Sequence, residues 1–132
     1  MHASGENYLE TIWRLKQEKT AVRSVDVARE LGYSKASVSR AMGLLRSAGY
    51  IVVDKDGIIE LTAQGTELAK LIYDKHTVLT EFLVKFADVS RETAEADACR
   101  IEHVISDESF EGLKKYLTKN SRRLSGGMHQ RR

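Results

Sequence analysis

Between Gly49 and Thr62 the hydrophobic period of this chain changes twice. Up to Gly49 apolar residues recur three and four positions apart, the spacing that gathers them on one side of a helix. Tyr50-Ile51-Val52-Val53 and Ile58-Ile59-Glu60-Leu61 then read as two short strands. Asp54-Lys55-Asp56-Gly57 between them carries the Asp-Gly signal of a hairpin turn. From Thr62 the helical period returns for more than twenty residues. A hairpin set between helical segments excludes a plain helical bundle and a parallel α/β sheet alike.

The segments before the hairpin sharpen this. Residues 5–19 place Tyr8, Leu9, Ile12, Trp13 and Leu15 near one face, with Ser4 as N-cap and Glu6 in the first turn. Val25, Val27, Ala28 and Leu31 predict a short second helix, capped by Ser24 and stopped at Gly32. Ser34 caps a third, with Val38, Ala41, Leu44 and Leu45 inward and its end at Gly49. Two short helices joined at Gly32-Tyr33-Ser34 form a helix-turn-helix, and the hairpin behind them makes it a winged helix. Beyond it a long helix is predicted from Thr62 to about Phe86, with Leu68, Ile72, His76, Leu79, Leu83 and Phe86 on one side. Asp88-Val89-Ser90 interrupts, and helices follow over 91–105 and 107–118, the last with Phe110, Leu113 and Leu117 inward. The expected fold is mainly α with a small β-hairpin. Its predicted parts are a winged helix-turn-helix over 1–62, an all-helical unit over 63–118, and a flexible basic tail over 119–132.

Composition narrows the setting. At 132 residues and 42% apolar content the chain can bury a core. No run approaches the ~18 apolar residues of a membrane helix, and MHASGENYLE has no apolar leader segment. One cysteine excludes an internal disulfide framework and favours a reducing compartment. The expected location is the cytoplasm, with no membrane contact.

The net charge of +2 conceals an uneven distribution. Residues 34–50 hold Lys35, Arg40 and Arg46 and no acid, whereas residues 63–118 hold seven basic and eleven acidic residues. An acid-free basic helix within a winged helix points to a polyanion, and an acidic half points to cations. The third helix would present Ser34, Lys35, Ala36, Ser37, Ser39 and Arg40. Small polar residues at a helix start suit base edges and phosphates, and Lys55 at the hairpin tip suits the adjacent backbone. The bland reading of the same surface is a solvated helix in a protein-binding winged helix. Double-stranded DNA is the expected partner.

The second half carries a different constellation. Cys99, Glu102 and His103 stand at i, i+3 and i+4 beside the apolar stripe of Ala98, Ile101 and Ile105. A carboxylate at the edge of a core needs a partner, and a divalent cation is one. A buried Cys beside an exposed Glu-His pair is the ordinary alternative. His76 falls inward on the long helix, where a histidine is more often a hydrogen-bonded core residue than a ligand. Asn7 and Glu10 add oxygen donors to the first helix, or serve as surface polar residues. Mixed N, O and S donors suit a first-row transition ion better than calcium or magnesium.

These pieces together resemble the diphtheria-toxin-repressor family of metal-activated iron and manganese repressors. The resemblance rests on the winged helix, the opening Glu6-Asn7-Tyr8-Leu9-Glu10-Thr11-Ile12, His76, and Cys99-Arg100-Ile101-Glu102-His103, and covers about residues 4–118. It implies principal metal ligands at Asn7, Cys99, Glu102 and His103, with Glu10 and His76 at neighbouring or second-ion positions. It also implies a homodimer joined through the C-terminal helices, on a pseudo-palindromic operator, with metal favouring the DNA-competent arrangement. Iron-type members carry Met, and manganese-type members Asp, where this chain has Asn7. Manganese types carry Glu in place of Cys99. A frequent Glu ligand is here Thr80, followed by Glu81, and an ancillary His is Glu95. The SH3-like domain of longer members is not expected here, as in manganese types. A thiol ligand favours Fe²⁺, Mn²⁺ comes next, and Zn²⁺, Co²⁺ or Ni²⁺ are possible substitutes.

The expected function is a metal-dependent repressor of metal-uptake genes. The alternative is a winged-helix regulator answering to a small organic ligand or to oxidation of Cys99. An enzyme is not expected: HExxH, a Gly-rich phosphate loop and a Ser-His-Asp set are all missing from the sequence.

Overall fold

The computed structural model describes the backbone of residues 3–127 and the side chains of residues 5–120. In chain order it holds α1 (Ala3–Glu18), α2 (Ser24–Leu31), α3 (Lys35–Ser47), β1 (Ile51–Val53), β2 (Ile59–Leu61), α4 (Ala63–Phe86), α5 (Arg91–Ile101) and α6 (Asp107–Gly127). The chain divides into two compact units, Met1–Tyr73 and Asp74–Arg132, the division falling within α4. Among the described residues no helix is long and apolar enough to cross a membrane.

In the first unit α1 packs on α2, α3 and β2. Leu9 and Ile12 of α1, Val27 of α2, Val38 of α3, Ile51 of β1 and Ile59 of β2 meet in one fully buried core. Burying side chains of this size contributes about 1.5–3 kcal/mol each. The strands pair antiparallel with Ile51 opposite Leu61 and Val53 opposite Ile59. The turn between them is fixed by Asp54, whose Oδ1 accepts the backbone N–H groups of Asp56 (2.8 Å) and Ile58 (2.9 Å). Gly57 takes φ 81°, where a side chain would be strained. The hairpin is anchored on both sides. The Ile59 N–H donates to the Val22 carbonyl (2.8 Å), and Lys16 Nζ donates to the Ile59 carbonyl (3.0 Å).

The helix starts follow capping chemistry, with two corrections, the first being that Ser4, read as the cap of α1, is its second residue. Ser34 and Ser90 cap α3 and α5 as read from the sequence, accepting from Ser37 N–H and Thr93 N–H at 3.1 Å each. Ser24 is not the cap of α2: it is the first helical residue, and Arg23 occupies the cap. Asp26 reaches back instead, its Oδ2 accepting the Arg23 N–H at 2.8 Å, because a carboxylate at the third helical position can meet an orphan donor there. The hydrogen bond from Lys19, then the Arg23 N–H, holds the Asp26 carboxyl below its ordinary range. A depressed folded-state pKa means that this stabilisation is complete above the unfolded value and lost as pH falls through the folded one. Asp26→Asn should therefore cost about 1 kcal/mol at neutral pH. It should also flatten the loss of melting temperature below about pH 4, as read by thermal melts between pH 2 and 7.

In the second unit Val78 and Leu79 of α4, Ala94 and Ala98 of α5 and Phe110 of α6 are buried. Lys114 pairs with Asp74 (2.7 Å) and Lys75 with Asp107 (3.4 Å). Asp88, with φ 57°, lies just past the end of α4. Helix α6 continues to Gly127, past the predicted end at 118. The part of the predicted tail covering residues 128–132 lies outside the described residues.

Candidate metal centre and nucleic-acid interface

α3 turns Val38, Met42 and Leu45 inward, a four-then-three spacing that defines one face. Ser34, Lys35, Ala36, Ser37, Ser39 and Arg40 are all exposed, as is Lys55 in the hairpin turn. Leu44, read from sequence as inward, is 68% exposed. Met42 holds the inward place instead, because it is one full turn from Val38 and Leu44 is not. The first turn of α3 contains no acid, so its unmet N–H groups and Lys35 act together on an approaching anion. Of the two acids flanking Lys55, Asp54 is occupied with its own turn, and Asp56 is exposed.

The second unit gathers four of the six predicted ligands. His76, from α4, sets Nδ1 at 2.9 Å from Glu102 Oε1 and 3.9 Å from Cys99 Sγ. The other carboxylate oxygen, Glu102 Oε2, lies 3.4 Å from His103 Nε2. The Glu102 carboxylate, 1% exposed, thus sits between two imidazoles with a thiol beside it.

The local backbone explains the arrangement. α5 ends at Ile101, not at 105 as its periodicity suggests, with Glu102 as C-cap in the right-handed region. The Glu102 N–H still bonds four residues back to Ala98 (2.9 Å), while the His103 N–H shifts to Arg100 three back (3.4 Å). This tightened last turn keeps Glu102 and His103 near the helical positions that sequence spacing gives them. Burial reverses the ordinary alternative: Glu102 is buried and Cys99 is exposed.

Asn7 and Glu10 lie one turn apart on α1, in the first unit. Asn7 is half-buried and its carbonyl accepts the Thr11 hydroxyl (2.8 Å), and Glu10 is buried. Of the noted departures, Glu81 is paired with Arg91 (2.8 Å), Glu95 is exposed, and Thr80 is buried. The sequence reading missed Gly65, whose role depends on a neighbouring carbonyl and leaves no mark in periodicity.

A winged helix-turn-helix with an acid-free exposed helix, in one chain with a helical unit whose imidazole, carboxylate and thiol groups converge, defines a metal-responsive DNA-binding regulator. Residues 1–58 match the iron dependent repressor N-terminal DNA binding domain, and residues 62–128 match the iron dependent repressor metal binding and dimerisation domain. The chain belongs to this family of metal-dependent transcriptional repressors, which are DNA-binding regulators and not enzymes. It is 35% identical to an uncharacterized HTH-type transcriptional regulator of Methanocaldococcus jannaschii, over 90% of this chain and 96% of that one. It is 32% identical to the diphtheria toxin repressor of Corynebacterium diphtheriae over 89% of this chain, spanning 52% of that protein's length. The solved structure of the manganese regulator SloR superposes with a TM-score of 0.78 at 27% identity, covering 86% of this chain and 53% of that one.

Proposed function

We propose that this chain is a metal-activated repressor of metal-uptake genes, responding to Fe²⁺ first and Mn²⁺ next, in the cytoplasm. The observation that carries the reading is the buried Glu102 carboxylate between His76 and His103, with Cys99 alongside. These donors fit a divalent first-row ion: two nitrogens, a carboxylate and a soft thiol match its preferences. His76, Cys99, Glu102 and His103 would hold it, and on the family resemblance Asn7 and Glu10 supply oxygen donors as well. When bound, the ion would supply a concentrated positive charge among these donors. In this reading residues 1–62 read DNA, residues 63–118 bind metal and dimerise, and the basic segment from 119 onward is an appendage.

Two copies are needed to read a pseudo-palindromic operator, with recognition helices set to half-sites ~34 Å apart. The aromatic cluster of Phe82, Phe86 and Tyr116, with ring centroids 5.1–6.1 Å apart, supports dimerisation. Phe86 is 36% and Tyr116 50% exposed, and a second copy would cover them. Ser34, Lys35, Ala36, Ser37, Ser39 and Arg40 would enter the major groove, and Lys55 would meet the flanking backbone. A coupling of ~1–3 kcal/mol between ion and operator changes affinity ~5–150-fold. Duplexes selected from a random pool with Mn²⁺-loaded protein should bind that much more weakly after chelation, as measured by fluorescence anisotropy. Equal affinity with and without chelator would overturn the reading.

A further inference from the structure

Residues 5–33 contain five lysines and arginines. Four of them meet a carboxylate: Arg14 pairs with Glu30 (3.5 Å), Lys16 with Glu60 (2.8 Å), and Lys19 and Arg29 share Asp26. Among the described residues Arg23 has no such pair. Its Nε donates instead to a backbone carbonyl, that of Asp56 in the hairpin turn, at 3.1 Å. The nearby acids are engaged elsewhere or turned to water. Asp26 gives Oδ2 to the Arg23 backbone N–H and Oδ1 to Lys19 and Arg29. Asp54 accepts two N–H groups within its own turn, and the Asp56 side chain is exposed.

The Nε bond fixes a full positive charge beside the hairpin turn. A guanidinium carries five N–H groups in one rigid plane, so four remain on its two terminal nitrogens. Arg23 is exposed, and its head group meets the residue that follows Lys55, the exposed cation of the turn. It is also the N-cap of α2, the first helix of the helix-turn-helix. In such folds the first helix crosses the phosphate backbone while the second enters the groove. An arginine held at this place offers the planar fork that matches a phosphate. Fixing it before DNA arrives lowers the side-chain entropy lost on capture.

We propose that Arg23 is a DNA phosphate-binding residue, docked on the Asp56 carbonyl so that it and Lys55 grip the flanking backbone as a pair. This rests on the DNA-binding reading above, and adds a contact from the start of α2 that neither α3 nor the hairpin supplies. Such a contact carries no sequence information; it sets register and strengthens binding to any duplex.

The rival role for Arg23 is mechanical: it would hold the hairpin and act only through Lys55. Removing its charge from a protein that already lacks the Lys55 charge separates the two. Wild type, Arg23→Gln, Arg23→Lys, Lys55→Ala and the Arg23→Gln/Lys55→Ala double variant, all full-length and Mn²⁺-loaded, are titrated by fluorescence anisotropy. The selected duplex is followed between about 50 and 200 mM salt, and an unrelated duplex at the low end. Arg23→Gln should bind both duplexes about fivefold more weakly, with a slope of log affinity against log salt shallower by about 0.9. The double variant should lose about a further 0.9 of slope relative to Lys55→Ala. Arg23→Lys should keep the wild-type slope, since it keeps the charge. A double variant with the slope of Lys55→Ala would overturn the proposal and leave Arg23 a clip for the hairpin. Weakening confined to the selected duplex would overturn it too, because a phosphate contact is blind to sequence. Failure of the wild type to bind either duplex would bring down the DNA-binding reading itself, and this proposal with it.

Discussion

Glu102→Gln is expected to weaken Mn²⁺ or Co²⁺ binding by at least about 100-fold, beyond the ~10–100-fold loss typical of residues that only support a ligand. The substitution keeps side-chain length and volume, so the core around residue 102 is not opened. An amide can still face the His76 ring at the 2.9 Å separation seen for the carboxylate. What it lacks is negative charge, which a divalent ion needs most where water cannot supply screening. The metal-free variant should melt within a few degrees of wild type, and its DNA affinity should equal that of chelated wild type with or without added ion. Calorimetry with Mn²⁺, read beside anisotropy on the selected duplex, separates the two effects. Unaltered Mn²⁺ affinity would remove Glu102 from the ligand set. Loss of helicity in the metal-free variant would instead give this carboxylate a structural role.

The residues around Glu102 also show how far sequence pattern reaches. Spacing placed Cys99, Glu102 and His103 together because local geometry decides that, and the end of α5 changed little even though the helix stops four residues early. Which of them is buried was not legible: Cys99 and Glu102 exchange the exposures that their chemistry suggests, and burial depends on what packs against α5. His76 joined the cluster through a contact 26 positions away in sequence, for which periodicity gave only a side of α4. The winged helix was more transparent, since Ser34, Gly32 and the Asp-Gly turn each act on their own few residues. Leu44 and Met42 were exchanged because both satisfy a loose helical spacing, and the partner helix decides between them.

Gly65→Ala should be the most damaging small change in the first unit, and it runs against helix propensity. In the first turn of an exposed helix, Gly to Ala gains up to about 1 kcal/mol. Here a Cβ at position 65 would lie 2.0 Å from the Tyr50 carbonyl oxygen and 3.0 Å from its carbon. Neither atom can yield cheaply. The Tyr50 carbonyl accepts the Thr62 N–H at 3.0 Å, and the neighbouring Gly49 carbonyl accepts the Thr62 hydroxyl at 2.7 Å. That hydroxyl in turn accepts the Gly65 N–H at 3.0 Å. The residues entering β1 and those starting α4 are therefore locked together, and glycine is what allows the backbones to come so close. Relieving the clash means moving the start of α4 away from Tyr50 and breaking this set of bonds. The cost should be about 3 kcal/mol, a fall in melting temperature of about 10–20 °C. Because the shift begins at the base of the hairpin, Lys55 should lose its place against DNA. The affinity of the Mn²⁺-loaded variant should fall even below its melting temperature, while Mn²⁺ binding by His76, Cys99, Glu102 and His103 persists. A variant that melts like wild type would show that the α4 start can slide. A variant that melts low yet binds DNA normally would show that the hairpin does not depend on this junction.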